Sequence, residues 1–135
     1  MIYEATVTYR GKNEKNREKG IKESVLCENY ETFSEVENEL RDKYSHCEDI
    51  DVVAIKRSNI LEIANQRTSD DDVIWQAEVQ DIFRDDEGNE KLLKYKILFF
   101  SKTYESANAF ITEYAKQGYN MSLVSLKLTK FVDVL

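Results

Sequence analysis

His46 and Cys47 put an imidazole next to a thiol, the pair from which a nucleophilic centre can be assembled. His46 is also the single histidine, hence the one ordinary neutral-pH base in the sequence. Neighbours on an extended chain point to opposite faces, however, and catalytic partners normally converge from separate elements, so the pair reads as accidental. Cys27 and Cys47 are the two cysteines, and with His46 they fall short of a four-ligand zinc set. Free, partly buried thiols are expected. A second group, Asp70, Asp71, Asp72 and then Asp85, Asp86, Glu87, Asn89, Glu90, offers oxygen ligands to a hard cation. The second run lacks the twelve-residue calcium-loop spacing, and Asp-Glu-Gly-Asn suits a hairpin tip, so a solvated turn is expected and no metal. With four glycines and no Gly-rich phosphate loop, no cofactor is expected and the protein reads as a non-enzyme.

The third group is basic. Residues 10–22 hold Arg10, Lys12, Lys15, Arg17, Lys19 and Lys22 against Glu14 and Glu18, a net of +4 in a chain whose total is −7. Such an arm can grip phosphate or an acidic protein surface, and Lys56 and Lys127 are added to it as candidate binding residues. The same loop is equally well explained as a segment kept soluble by charge, since nucleic-acid arms usually accompany a basic body.

With 135 residues, 41% of them apolar and 11% aromatic, the chain has enough for a packed core. Met1 to Ala5 show no basic or apolar leader, and no stretch approaches the roughly 18 apolar residues of a membrane span. An intracellular, soluble protein is expected.

Those side chains must be positioned by regular elements. Tyr3, Ala5, Val7 and Tyr9 alternate with polar residues, giving a half-buried strand over 2–9. Residues 10–20 lack apolar side chains and connect it to a second strand at 21–28. Thr32 and Glu35 form a capping box for a helix reaching about Tyr44, with Phe33, Val36, Leu40 and Tyr44 as its apolar stripe. A β-branched strand at 50–57 and a short apolar tail at 60–63 follow. Residues 65–72 change composition and read as a linker. The order then recurs: alternation at Val73, Trp75, Ala77 and Val79, a turn at 85–90, a strand at 93–100, a helix opened by Thr103 with Ala107, Phe110, Ile111 and Tyr114 buried and Gly118 ending it, a strand at 119–128, and a tail at 131–134.

The recurrence reaches single residues. At an offset of 72, Tyr3 falls on Trp75, Ala5 on Ala77 and Val7 on Val79; at 71, Thr32 falls on Thr103, Leu40 on Ile111, Val53 on Val124, Lys56 on Lys127 and Glu62 on Asp133. One inserted residue accounts for the change, most cheaply in the first hairpin. The sequence therefore predicts an α+β fold of two tandem ββαβ repeats, 1–64 and 73–135, with mostly antiparallel sheets and one helix per repeat. The two are expected to pack as one pseudo-two-fold domain, because a unit of about 60 residues buries little alone.

The opening strand, the segment Val53-Ala54-Ile55-Lys56-Arg57-Ser58-Asn59-Ile60-Leu61-Glu62-Ile63 and the ending Phe131-Val132-Asp133-Val134-Leu135 resemble a family of small, functionally uncharacterised proteins of Bacteroidetes and of their phages, crAss-like phages included. That resemblance implies a phage or mobile-element origin and a setting in the cytoplasm of a bacterial host or in a virion, and assigns no activity or functional residue. Apolar side chains on both faces of the second hairpin, Leu93, Ile97 and Phe99 against Leu92, Leu98 and Phe100, exceed what one helix covers. The expected function is contact with a protein partner or a second copy, as an assembly or virion accessory subunit or an inhibitor of a host factor. A nucleic-acid or nucleotide binder using 10–22 is the alternative.

Overall fold

In the computed structural model, residues 1–12, 15–118 and 121–135 are described. The fold is α+β, with two helices and two four-stranded, mostly antiparallel sheets among the described residues. The chain divides into two compact units, 1–58 with 130–135, and 59–129.

In the first unit, β1 (Tyr3–Lys12) and β2 (Glu18–Cys27) form a hairpin with Tyr3 opposite Cys27 and Lys12 opposite Glu18. Alternation puts Tyr3, Ala5, Val7, Val25 and Cys27 on one face, where they pack with Val36, Leu40 and Tyr44 of α1 (Phe33–Lys43). The helix starts where the capping box requires: Thr32 Oγ1 accepts from Glu35 N–H at 3.2 Å, and Glu35 Oε2 accepts from Thr32 N–H at 3.4 Å. Phe33 begins the expected stripe but stays exposed, touching Tyr3 edge-on at 5.3 Å between centroids. β3 (Glu48–Arg57) adds to β1 antiparallel, with an irregularity at Val53. The fourth strand of this sheet is β8 (Phe131–Val134), parallel to β2, giving the order β3-β1-β2-β8.

The second unit repeats this plan with its own short strand. β5 (Val73–Arg84) and β6 (Glu90–Ser101) pair from Trp75 opposite Phe99 to Arg84 opposite Glu90. α2 (Tyr104–Ala115) covers Trp75, Ala77, Val79, Ile97 and Phe99 through Ala107 and Ile111. β7 (Met121–Leu128) lies antiparallel to β5 with its irregularity at Val124, and β4 (Ile60–Ile63) lies parallel to β6, giving β4-β6-β5-β7. Each sheet thus takes its short parallel strand from the other half of the sequence.

Matching backbone bonds recur at the two offsets. Ser58 N–H donates to Ile2 O at 2.9 Å and Thr129 N–H to Ile74 O at 3.1 Å; Leu135 N–H donates to Leu26 O at 2.7 Å and Ala64 N–H to Leu98 O at 2.8 Å. The helix ends clasp the short strands at equivalent positions: Lys43 Nζ meets Asp133 Oδ2 at 2.6 Å, and Tyr114 donates to Glu62.

Three expectations are corrected. The hairpins have equal registers, so the inserted residue is not there. The offset changes between β2 and α1, where 28–31 stand against 100–102 and Asn29 takes the positive φ of 67° that an Asx residue tolerates. Gly118 is not a left-handed cap, because α2 ends at Ala115; its small size admits Met121, whose Cβ would lie 2.8 Å from an added Cβ. The strands also run longer than alternation marked, β2 from Glu18 and β6 from Glu90, since ladder bonding continues through polar residues. Of the last strand as expected, Tyr119 and Asn120 lie outside the described residues, as do Asn13 and Glu14 of the basic loop.

Residues 65–72 are tied into the second unit. Asn65 Nδ2 donates to Phe100 O at 3.0 Å while Asn65 Oδ1 accepts from Phe100 N–H at 2.7 Å. Asp72 Oδ2 accepts from Thr68 N–H and Oγ1 and from Ser69 N–H at 2.9, 3.2 and 3.2 Å, and these bonds, the Thr68 backbone first, hold its carboxyl below the usual range.

Candidate interaction surface

The first-unit hairpin carries most of the basic candidates. Arg10 and Lys12 on β1 and Lys22 on β2 share the face turned from α1, with Glu18 among them, because Lys12 opposes Glu18 and Thr8 opposes Lys22. Lys19 lies opposite Gly11 on the other face, and Lys15 and Arg17 stand at the turn. Arg10 is held by Asp49 at 3.3 Å and Glu18 at 3.8 Å. Lys56 opposes Glu4 at the other end of β1, six residues or about 20 Å from Arg10 along the strand, so it does not join the cluster. Lys127 belongs to the second unit, opposite Gln76.

The other chemistry-bearing groups are absorbed by their surroundings. His46 is exposed in the turn after α1, whereas Cys47 packs on the first core. Both cysteines are free thiols, and burial pushes that of Cys27 up to about 11. A cavity of about 590 Å³ lies beside the start of α2, lined by Asn65, Thr68, Asp72, Phe100, Lys102 and Ser106. Two of its polar groups serve the scaffold: Asp72 closes the 68–72 turn, and Ser106 Oγ accepts from Thr103 N–H at 3.1 Å within the helix cap. At the 85–89 turn, Asp85 Oδ1 accepts from Glu87 and Asn89 N–H at 3.0 and 2.9 Å, and Gly88 takes φ of 82°. Among the described residues no cluster of His, Cys, Asp and Glu is arranged to hold a metal ion, and no helix is long and apolar enough to cross a membrane.

What stands out instead is the far end of the β5–β6 hairpin. Among the described residues, β7 accompanies β5 as far as Asp81, and β4 accompanies β6 from Lys96. From there β5 and β6 stay paired with each other to the turn. Ile82 opposes Leu92 on the face away from α2, and Phe83 and Leu93 lie on the other. Phe83 is 39% exposed, Leu92 53% and Leu93 52%. The expected apolar surplus is therefore confined to this ribbon, because Leu98 and Phe100 are buried within the chain, Phe100 with the Arg67 guanidinium 4.9 Å above its ring. Ile82 and Phe83 were missed by sequence reasoning: they break the alternation that ends at Val79, and the adjacent apolar pair just before Asp85-Asp86 was the available signal.

Each unit is thus a helix packed on a four-stranded, mostly antiparallel sheet, an α+β arrangement. The chain belongs to the family described as a domain of unknown function, DUF4494, which matches residues 1–135. No curated protein and no solved structure matches it.

Proposed function

We propose that this is a non-enzymatic interaction protein of phage or mobile-element type, acting in a bacterial host or a virion by contact with another protein, as an assembly accessory subunit or an inhibitor of a host factor. The single observation that carries the reading is the far end of the β5–β6 ribbon, where Phe83, Leu92 and Leu93 are open on its two faces. A two-stranded ribbon is marginal in water, and apolar side chains at its end gain most when another surface covers them. The phage setting is supported by the resemblance of residues 53–63 and 131–135, and the equal hairpin registers support an origin by duplication of one ββαβ unit.

A second reading is favoured by Arg10, Lys12 and Lys22 sharing one face: this hairpin would hold nucleic acid or a nucleotide through phosphate contacts. One experiment separates the two. A photo-crosslinking residue placed at Leu92, at Lys12 or, as control, at Glu37 on α1 is activated in the producing cell. The leading reading expects a discrete protein adduct from position 92 and none from 37. Adducts to nucleic acid from position 12 alone would favour the second, and equal background from 92 and 37 would overturn the first.

A further inference from the structure

The two hairpin tips occupy the same register position, Lys12 opposite Glu18 and Arg84 opposite Glu90, yet carry opposite charge. Residues 81–91 hold Asp81, Asp85, Asp86, Glu87 and Glu90 against Arg84 and Lys91, a net of −3, while residues 10–22 hold a net of +4. The local ion pairs of the acidic tip are long, Arg84 to Glu90 at 3.8 Å and Lys91 to Asp85 at 3.9 Å with three of the four side chains largely exposed, so most of its charge faces water. Both hairpins place apolar groups beneath the charged tip. On β5–β6 these are Phe83, Leu92 and Leu93; on β1–β2 they are the opposed, half-buried Tyr9 and Ile21, the latter folded across Gly11 where a Cβ would collide with it.

We propose that the occupant of the β5–β6 ribbon is a second copy of this chain, seated on that copy's β1–β2 hairpin with the acidic tip against the basic one, Arg10, Lys12 and Lys22 on one face of it and Lys19 on the other. This rests on the ribbon being a docking surface and adds the identity of what docks. Opposite charge selects this pairing over ribbon against ribbon, which would bring two acidic tips together. The two patches differ, so the contact is heterologous: each associated pair keeps one unused patch of each kind, and assembly proceeds to rings or filaments. Exposed charges dominate the selection, and the Debye length is about 10 Å at 0.1 M salt, so association weakens as salt rises.

Sedimentation velocity of the whole protein tests this with two charge-reversed variants, K12E/K19E/K22E, whose tips are both acidic, and D86K/E87K/E90K, whose tips are both basic. Asp85 is left in place because it closes the turn, and circular dichroism checks that each variant is folded. The wild type is expected to gain mass with concentration at low ionic strength and to revert to monomer at high ionic strength. Each variant alone is expected to remain monomeric, and an equimolar mixture to associate again. A wild type that stays monomeric at low ionic strength, variants that associate as it does, or a mixture that does not associate would overturn the proposal. If the wild type is monomeric while position 92 still crosslinks to a different protein, the second copy is refuted and the docking ribbon stands; with no adduct either, both fail.

Discussion

Glu23 is shared by two tyrosines, its Oε1 accepting from Tyr9 at 2.6 Å and its Oε2 from Tyr44 at 2.7 Å, with the two rings 5.7 Å apart. The bond to the carboxylate, followed by burial, pushes Tyr9 up to about 12; burial first and then the same carboxylate raise Tyr44. Both phenols ionise near 10.0 when the chain is unfolded, so protons are held more tightly by the folded state. Their contribution to stability is complete below pH 10 and declines as pH rises through 10 toward 12. Replacing Glu23 by Gln removes the charge that holds the Tyr9 proton. The tyrosinate absorbance of Tyr9 is then expected to appear at lower pH, nearer 10; an unchanged titration would contradict this assignment. The second unit binds its tyrosine differently, Tyr114 donating to Glu62 from the short strand, so the shared carboxylate is peculiar to the first unit.

Helix starts, strand faces and the short tails were legible because each follows from local chemistry. Thr32 and Thr103 each accept from the backbone N–H three residues on, at 3.2 and 3.1 Å, as the Ser/Thr-x-x-Glu pattern at Thr32 and the matching position of Thr103 require. Thr32→Ala and Thr103→Ala are each expected to cost about 1 kcal/mol in urea denaturation, and an unchanged midpoint in both would remove the caps from the account. What sequence could not supply was pairing between distant segments. Residues 60–63 and 131–134 read as tails of the strands before them, yet β4 pairs with β6 and β8 with β2, because four apolar residues carry no signal of which edge they join. The inserted residue was misplaced for a related reason: offsets were readable on β1 and α1, and the hairpin between them has no apolar pattern to count along. The basic residues at 10–22 were visible by type, but which of them share a face depends on register, which set Lys19 apart from Lys12 and Lys22.

For the molecule as a whole, each sheet is completed by a strand from the other half of the sequence, and Lys43 with Asp133 and Tyr114 with Glu62 fasten those strands to the helix ends. Helix and sheet then bury one another, as Val36 and Leu40 do against Tyr3 and Val7, and Ala107 and Ile111 against Ala77 and Phe99. Exposed apolar side chains remain on both units, and Ile82, Phe83, Leu92 and Leu93 form a group of them on a ribbon ending in acids. Contact of that ribbon with a second copy is the central claim, and amide hydrogen exchange tests it most directly, with the protein compared dilute and concentrated at low ionic strength. The account predicts that exchange slows at residues 82–84 and 91–93, together with the β1–β2 tip, while 74–79 and 97–100 are unchanged. Slowing confined to 65–72 and 100–106 beside the cavity, or none at any concentration, would contradict it.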